Sequence, residues 1–218
     1  TGNGRVGAGI FEIMKKANIR EVSKLEFLND TFNEAVFVHL NTMDYNVRKD
    51  GSISDKQDFY QHPELYCSSF MKYAKQAEIF IAGHYYSSSS PYLFTREDAK
   101  NTDFNLQVIA DISCDIDGPV ASTIRSSTIE NPIYGYSKIS EQEVDFKQSD
   151  AIAVMAVNNL PCELPKDASE DFGNEMVENI LPSLINGDNQ QIIENATICK
   201  DGDLIPNFEY LRDYVNGN

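Results

Sequence analysis

Thr1-Gly2-Asn3-Gly4-Arg5-Val6-Gly7-Ala8-Gly9 satisfies G-x-G-x-x-G through Gly2, Gly4 and Gly7. The chemistry that such spacing serves is the binding of a dinucleotide pyrophosphate. The first glycine makes a tight turn off a strand, the second lets the backbone approach the phosphates, and the third lets helix and strand pack closely. An amphipathic segment follows at once. The phosphates would therefore lie on free N–H groups at a helix N-terminus, where the macrodipole favours an anion. A loop of this kind is expected to follow a buried strand, whereas this sequence opens on the loop itself. The expectation is a portion of a larger enzyme, its first strand truncated.

A dinucleotide site also needs a group for the ribose, usually an acidic side chain about 20 positions past the last glycine. Phe27 and Leu28 stand there, with Glu26 and Asp30 on either side. Asp30 can serve from a shifted turn, or the site can prefer a phosphorylated ribose, so NAD and NADP both stay open. Asp111, Ser113 and Asp115 follow a strong apolar run and belong at the carboxyl end of a strand, where open α/β sheets bind ligands. They either shape the nicotinamide end of a cleft or cap their own acidic turn. Asn158 and Asn159 end the next such run, as amides able to donate to and accept from a carboxamide or a substrate carboxylate, or as plain turn residues.

His84 closes a strand beside Tyr85 and Tyr86, in the range for acid–base work, but reads as structural, as do His39 and His62. The three histidines give no metal-ligand spacing, and no metal is expected. No nucleophile elbow, Walker loop or Cys–His signature is present.

The elements that would position these residues alternate between helix and strand. Ile10, Phe11, Ile13, Met14 and Ala17 predict a helix over 8–17. Strands are predicted over 21–28, 35–40, 78–83, 106–110 and 151–157. Between them lie a polar excursion from Asp44 to Tyr60 and a helix over 64–76 led by Pro63. Thr95-Arg96-Glu97-Asp98 predicts a capped short helix. The last third offers a helix over 169–184 kinked at Pro182, a stop at Gly187, and a terminal helix over 207–215. The pattern is α/β: a Rossmann-like open parallel sheet flanked by helices.

Composition narrows the partners. The 218 residues are 41% hydrophobic and carry a formal charge of −16. That supports a real core and argues against nucleic acid or an anionic membrane as a partner. Cys67, Cys114, Cys162 and Cys199 are scattered without a C-x-x-C pair, as reduced thiols would be. Asn195-Ala196-Thr197 matches a glycosylation sequon, here read as chance. Apolar runs stay well under the ~18 residues of a membrane span. The expected location is cytoplasmic.

Six stretches together resemble the superfamily of alanine dehydrogenase and lysine-forming saccharopine dehydrogenase, nearest to saccharopine dehydrogenases and lysine–ketoglutarate reductases. They are GNGRVGAG (2–9), FYQHPELY (59–66), LFTREDA (93–99), DISCDIDG (111–118), STIENPIYGY (127–136) and NNLPCELPKDASEDFG (158–173). The resemblance implies a two-domain oxidoreductase that moves a hydride between NAD or NADP and the carbon bearing an amino-acid nitrogen. It implies a cofactor domain over 1–160 and a helical segment over 161–218 that returns to pack on an absent amino-terminal domain.

By that likeness Gly2, Gly4, Arg5, Val6 and Gly7 hold the pyrophosphate, while Asp111 and Ser113 border the cofactor. Asn158, Asn159 and Leu160 border a small amino-acid substrate. The proton-handling lysine and histidine of the family belong to the absent domain, so the fragment is expected to be inactive alone. Two departures keep the substrate open. Leu28 stands where saccharopine enzymes carry the ribose aspartate, and Asn159-Leu160-Pro161 approximates the Asn-Met-Pro of alanine dehydrogenases. A non-catalytic Rossmann-like binding or regulatory module is the rival.

Overall fold

A computed structural model describes residues 1–217. The chain divides into two compact units, Thr1–Asn158 and Asn159–Asn218.

The first unit opens with α1 (Arg5–Lys16), whose last turn carries Lys15 and Lys16 against the negative end of the helix dipole. Asn18, in the left-handed region, turns the chain out of it. Next come β1 (Arg20–Glu21), α2 (Lys24–Asn29) and β2 (Val36–Phe37), with β1 and β2 forming a short parallel pair. The strand expected over 21–28 is thus mostly helix. Ser23 and Glu26 form a reciprocal capping box, each side chain accepting from the other's backbone N–H. Phe27 and Leu28 then pack against the core. The strand expected over 35–40 is confined to Val36 and Phe37.

The polar excursion is structured. It contains α3 (Thr42–Tyr45), β3 (Asn46–Arg48) and α4 (Lys56–Gln61), followed by β4 (Tyr66–Ser68) and α5 (Met71–Ala74). The helix expected over 64–76 survives only as a 3₁₀ turn, Pro63–Leu65, and as α5. Between them β4 pairs antiparallel with β3. Tyr66 explains the override. Its ring lies edge-on to Phe59, with centroids 5.1 Å apart. Its hydroxyl bonds to Asp58 Oδ2 at 2.7 Å, and the same Asp58 oxygen pairs with Arg48 of β3. Side-chain contacts of this kind outweigh a weak local helical pattern.

The main sheet has five strands: β5 (Ile79–Ala82), β6 (Val108–Asp111), β7 (Ile133–Ser137), β8 (Glu143–Val144) and β9 (Ala151–Met155), with α6 (Arg96–Ala99) between β5 and β6. Their order is β5-β6-β9-β7-β8. β5, β6 and β9 are parallel; β7 runs antiparallel to both β9 and β8. The architecture is therefore the expected α/β sheet flanked by helices, mostly parallel, with β7 and β8 adding an antiparallel hairpin at one edge. Gly135 shows why the hairpin forms there. A Cβ on it would lie 2.6 Å from the backbone nitrogen of Phe146, so only glycine lets the two chains approach. Ile109, Val154, Ile152, Phe94, Phe70, Tyr134 and Tyr136 fill the core beside the sheet.

The second unit begins with a 3₁₀ turn, Leu160–Glu163, and continues as α7 (Pro165–Glu175), a π-helical turn over Met176–Ile180, and α8 (Leu181–Asn186). This helix starts earlier than the 169 expected, because Pro165 suits its first turn. The wide turn ends just before Pro182, which lacks an N–H and crowds the carbonyl four residues back. Gly187, at φ +94°, ends it. Then come α9 (Ile192–Ala196), the hairpin of β10 (Cys199–Lys200) and β11 (Asp203–Leu204), a 3₁₀ segment over Pro206–Leu211, and α10 (Arg212–Val215). The sequon therefore opens on α9. Among the described residues no helix is long and apolar enough to cross a membrane.

Candidate functional site

The glycine loop is built against the carboxyl end of β5. Thr1 N–H donates to Ile81 O at 3.0 Å and Gly83 N–H donates to Thr1 O at 3.2 Å. These two bonds are one rung of a parallel ladder opposite Ala82, so Thr1 occupies a strand position and the loop turns off it. Gly2 makes that turn. It is at φ +102°, and a Cβ would sit 2.1 Å from Gly83 O. A Cβ on Gly7 would fall 2.0 Å from Gly2 O, so the third glycine is what lets α1 close on the turn.

Gly4 is different. It is the N-cap of α1 in extended conformation, and a Cβ there would meet nothing within 4 Å. No side chain caps the helix and no acidic residue stands in its first turn. The arrangement offers what an anion requires: uncapped first-turn amides, the positive end of a twelve-residue helix, and room above the second glycine. Arg5 and Val6 stand exposed on this first turn.

Two residues that the sequence did not single out as functional hold the loop. His39 Nε2 bonds to Gly2 O at 2.8 Å, and Asn41 Oδ1 accepts from Asn3 Nδ2 at 2.5 Å. His84 also braces it, with Nδ1 2.9 Å from Thr1 Oγ1. Burial, and then the neighbouring Thr1 amino group, push the His84 ring down to about 4, so it is neutral at physiological pH. Its Nε2 is buried without a partner. His62 lies apart, exposed beside Glu64. Among the described residues no cluster of His, Cys, Asp and Glu could hold a metal ion.

Asp30 lies immediately after α2 rather than after a strand, where it is exposed. It shares with Thr1 and Gly7 the lining of a cavity of about 490 Å³, whose walls are mainly apolar and include Phe11, Val36 and Phe80. The acidic residue that ends the strand after α1 is Glu21, also exposed.

The second cluster lies at the end of β6. Asp111 is fully buried, and both its side-chain oxygens are engaged. Oδ1 accepts from Ser113 N at 3.1 Å and from Ser113 Oγ at 2.5 Å, and Oδ2 accepts from Thr123 Oγ1 at 2.6 Å. Asp111 thus shapes its own turn and presents Ser113, which is half-buried, in place of reaching outward itself. Cys114 follows at φ +56°, its Sγ 3.3 Å from Val157 O, which ties the end of β6 to the segment after β9. Burial, and then Asp111 and Asp115, push the Cys114 thiol up to about 11. Burial and Asp111 also raise Asp115 above the ordinary carboxyl range.

Asn158 continues that segment, exposed, as the last residue of the first unit. Asn159 opens the second in the left-handed region and accepts from Cys162 N–H at 2.9 Å.

No protein-family model matches the chain. Among curated proteins it is 25% identical over 246 residues to the mitochondrial alpha-aminoadipic semialdehyde synthase of Mus musculus, a match covering 97% of this chain and 26% of that protein. It is 28% identical over 235 residues to the alpha-aminoadipic semialdehyde synthase of Arabidopsis thaliana, covering 97% of this chain and 22% of that one. The chain therefore spans about a quarter of the length of the curated relatives it matches. Among solved structures an L-alanine dehydrogenase superposes with a TM-score of 0.50 at 13% identity, covering 98% of this chain and 52% of that one. At that identity the likeness is one of fold. Relatives and fold neighbour together agree with the superfamily that the six stretches resemble.

Proposed function

We propose that this chain is the dinucleotide-binding portion of an NAD(P)-dependent amino-acid oxidoreductase of the saccharopine dehydrogenase type. The observation that carries the reading is the contrast among the three glycines. Gly2 and Gly7 are demanded by the protein's own packing, while Gly4 faces open space at the head of an uncapped helix. A glycine that nothing internal requires, at the position where a pyrophosphate approaches the backbone, is accounted for by a ligand.

In this reading the first-turn amides of α1, with Gly4, Arg5 and Val6, hold the phosphates. Gly2 and Gly7 fix the turn that aims those amides. Asp30 is the candidate for the ribose hydroxyls. Asp111, through its bonds to Ser113 and Thr123, shapes the turn that borders the nicotinamide, and Asn158 and Asn159 belong to the amino-acid substrate. The bound nicotinamide supplies or accepts the hydride. This chain's contribution is to hold and orient it, with proton transfer assigned to groups outside these residues. The similarity to alpha-aminoadipic semialdehyde synthases favours a substrate with a secondary amine at the reacting carbon over alanine. The second unit is assigned to packing on another domain of the same protein, and the isolated chain is expected to show no turnover.

Titration with NADH and with NADPH, following nicotinamide fluorescence, tests the reading directly, since the chain contains no tryptophan to interfere. Saturable binding of either dinucleotide supports it and settles the cofactor preference. Binding of neither by a chain shown by circular dichroism to be folded overturns it in favour of a module that does not use dinucleotides.

A further inference from the structure

Gly2 is buried, and its carbonyl oxygen is where α1 and the segment after β2 meet the loop. From one side α1 packs on it, since a Cβ on Gly7 would lie 2.0 Å away. It receives a hydrogen bond from His39 Nε2 at 2.8 Å. A carbonyl oxygen only accepts, so the hydrogen is on Nε2, and that fixes the ring's tautomer. The His39 ring is itself half-buried, with its centroid 5.9 Å from that of Phe11 on α1.

Two residues further on, Asn41 accepts from the side-chain amide of Asn3. Asn41 is in turn fixed as the N-cap of α3 in a capping box with Asp44. Alternate residues of an extended segment face the same side, so His39 and Asn41 reach the same loop. Two consecutive loop residues are therefore held from one short stretch of chain. Gly2 is held by its main chain and Asn3 by its side chain.

The consequence lies in the peptide between them. No cis peptide occurs among the described residues, and a trans peptide is planar with its C=O and N–H pointing in opposite directions. A bond that holds Gly2 O toward His39 therefore directs Asn3 N–H away from His39. Asn3 and Gly4 are both exposed, while Gly2 is not. We infer that His39 is a positioning residue for the glycine loop: by clamping the carbonyl of Gly2 it turns the Asn3 amide outward as a donor to a phosphate, with Asn41 tethering Asn3 in place. The phosphate part of this inference rests on the dinucleotide reading above; the clamp itself does not.

The test uses the 218-residue chain with His39→Phe, which keeps a ring against Phe11 but has no donor, and His39→Gln, which restores an amide donor. Three quantities are read: the ¹⁵N shifts of His39, amide exchange of Asn3 to Val6, and the dissociation constants for NADH and NADPH. The expected results are an Nε2–H tautomer in the wild type and faster exchange at Asn3 in H39F. Dinucleotide binding should be about five- to tenfold weaker in H39F, the scale of one hydrogen bond, and restored toward wild type in H39Q. An Nδ1–H tautomer overturns the clamp, as does unchanged exchange in a folded H39F, or an H39Q indistinguishable from H39F. Should H39F fail to fold, the tautomer and H39Q still decide. Wild type that binds neither dinucleotide removes the phosphate role, while tautomer and exchange continue to judge the clamp.

Discussion

Thr123 Oγ1 donates to Asp111 Oδ2 at 2.6 Å, and both side chains are completely buried. With Ser113 on the other oxygen, the pair fastens the end of β6 to the segment after Val120. Asp111→Asn places an NH₂ group where only an acceptor is satisfied, and it is expected to lower stability by about 2–3 kcal/mol in urea denaturation. Thr123→Val, which removes one donor, should cost about 1–2 kcal/mol, and Thr123→Ser, which keeps the hydroxyl, less than either. A D111N protein as stable as wild type would show that the buried network does not fasten this turn.

The glycines separate folding from binding. Gly7→Ala drives a methyl onto the Gly2 carbonyl, a backbone atom that cannot swing aside. Its melting temperature should fall sharply, by an amount matching about 2–4 kcal/mol. Gly4→Ala meets no atom within 4 Å and keeps an ordinary φ of −85°. It should fold within about 1 kcal/mol of wild type, the difference being its poorer N-cap. Its affinity for the preferred dinucleotide should nonetheless drop at least tenfold, because the methyl occupies the phosphate's approach. An unimpaired Gly4→Ala would remove the main support for the dinucleotide reading.

How much of this could be read in advance depends on how local each rule is. β5, β6 and β9 were legible because each is a short apolar run closed by a polar turn. The glycine loop was legible because its three glycines keep a fixed spacing within nine residues of chain, although the atoms that exclude a Cβ at Gly2 come from Gly83, far along the sequence. The β3–β4 pair and the β7–β8 hairpin were not. Their pairings depend on tertiary contacts that no local pattern announces, such as Tyr66 on Asp58 and Gly135 against the Phe146 backbone. Helix α2 was missed for a different reason, since the Ser23–Glu26 box is local but lay inside an alternating pattern that suggested a strand. His39 and Asn41 carried a faint signal, two polar residues at alternate positions at the end of the apolar run AVFVHL. Their role follows only once that segment is known to lie against the loop.

His84 gives the fold a pH dependence whose sign follows from its burial. Its folded-state value of about 4 lies below the ordinary 6.5, so between those limits the unfolded chain binds more protons. The contribution is complete above pH 6.5 and is lost progressively as the pH falls toward 4. It amounts to roughly 2–3 kcal/mol, less whatever share comes from the Thr1 amino group. Urea midpoints measured from pH 7.5 to 4.5 should fall in the wild type and fall less steeply in His84→Gln. Parallel curves for the two proteins would exclude His84 as the titrating group.

The four cysteines should separate by reactivity, because the thiolate is the nucleophile. Cys162 and Cys199 are exposed, whereas Cys114 is half-buried beneath the turn of Asp111. Burial, with Asp111 and Asp115 adding negative charge, raises its thiol to about 11, so little thiolate forms at pH 8. The Cys114 Sγ also lies within reach of the carbonyl oxygens of Asp111 and Val157, at 3.2 and 3.3 Å, which favours the protonated form as a donor. Iodoacetamide at pH 8 should therefore label Cys162 and Cys199 first and Cys114 last, as peptide mapping by mass spectrometry would show. Asp111→Asn removes one charge and loosens the turn, so it should bring Cys114 forward in that order. Early labelling of Cys114 in the native wild type would mean that the turn at the end of β6 opens in solution and that Asp111 does not keep it closed.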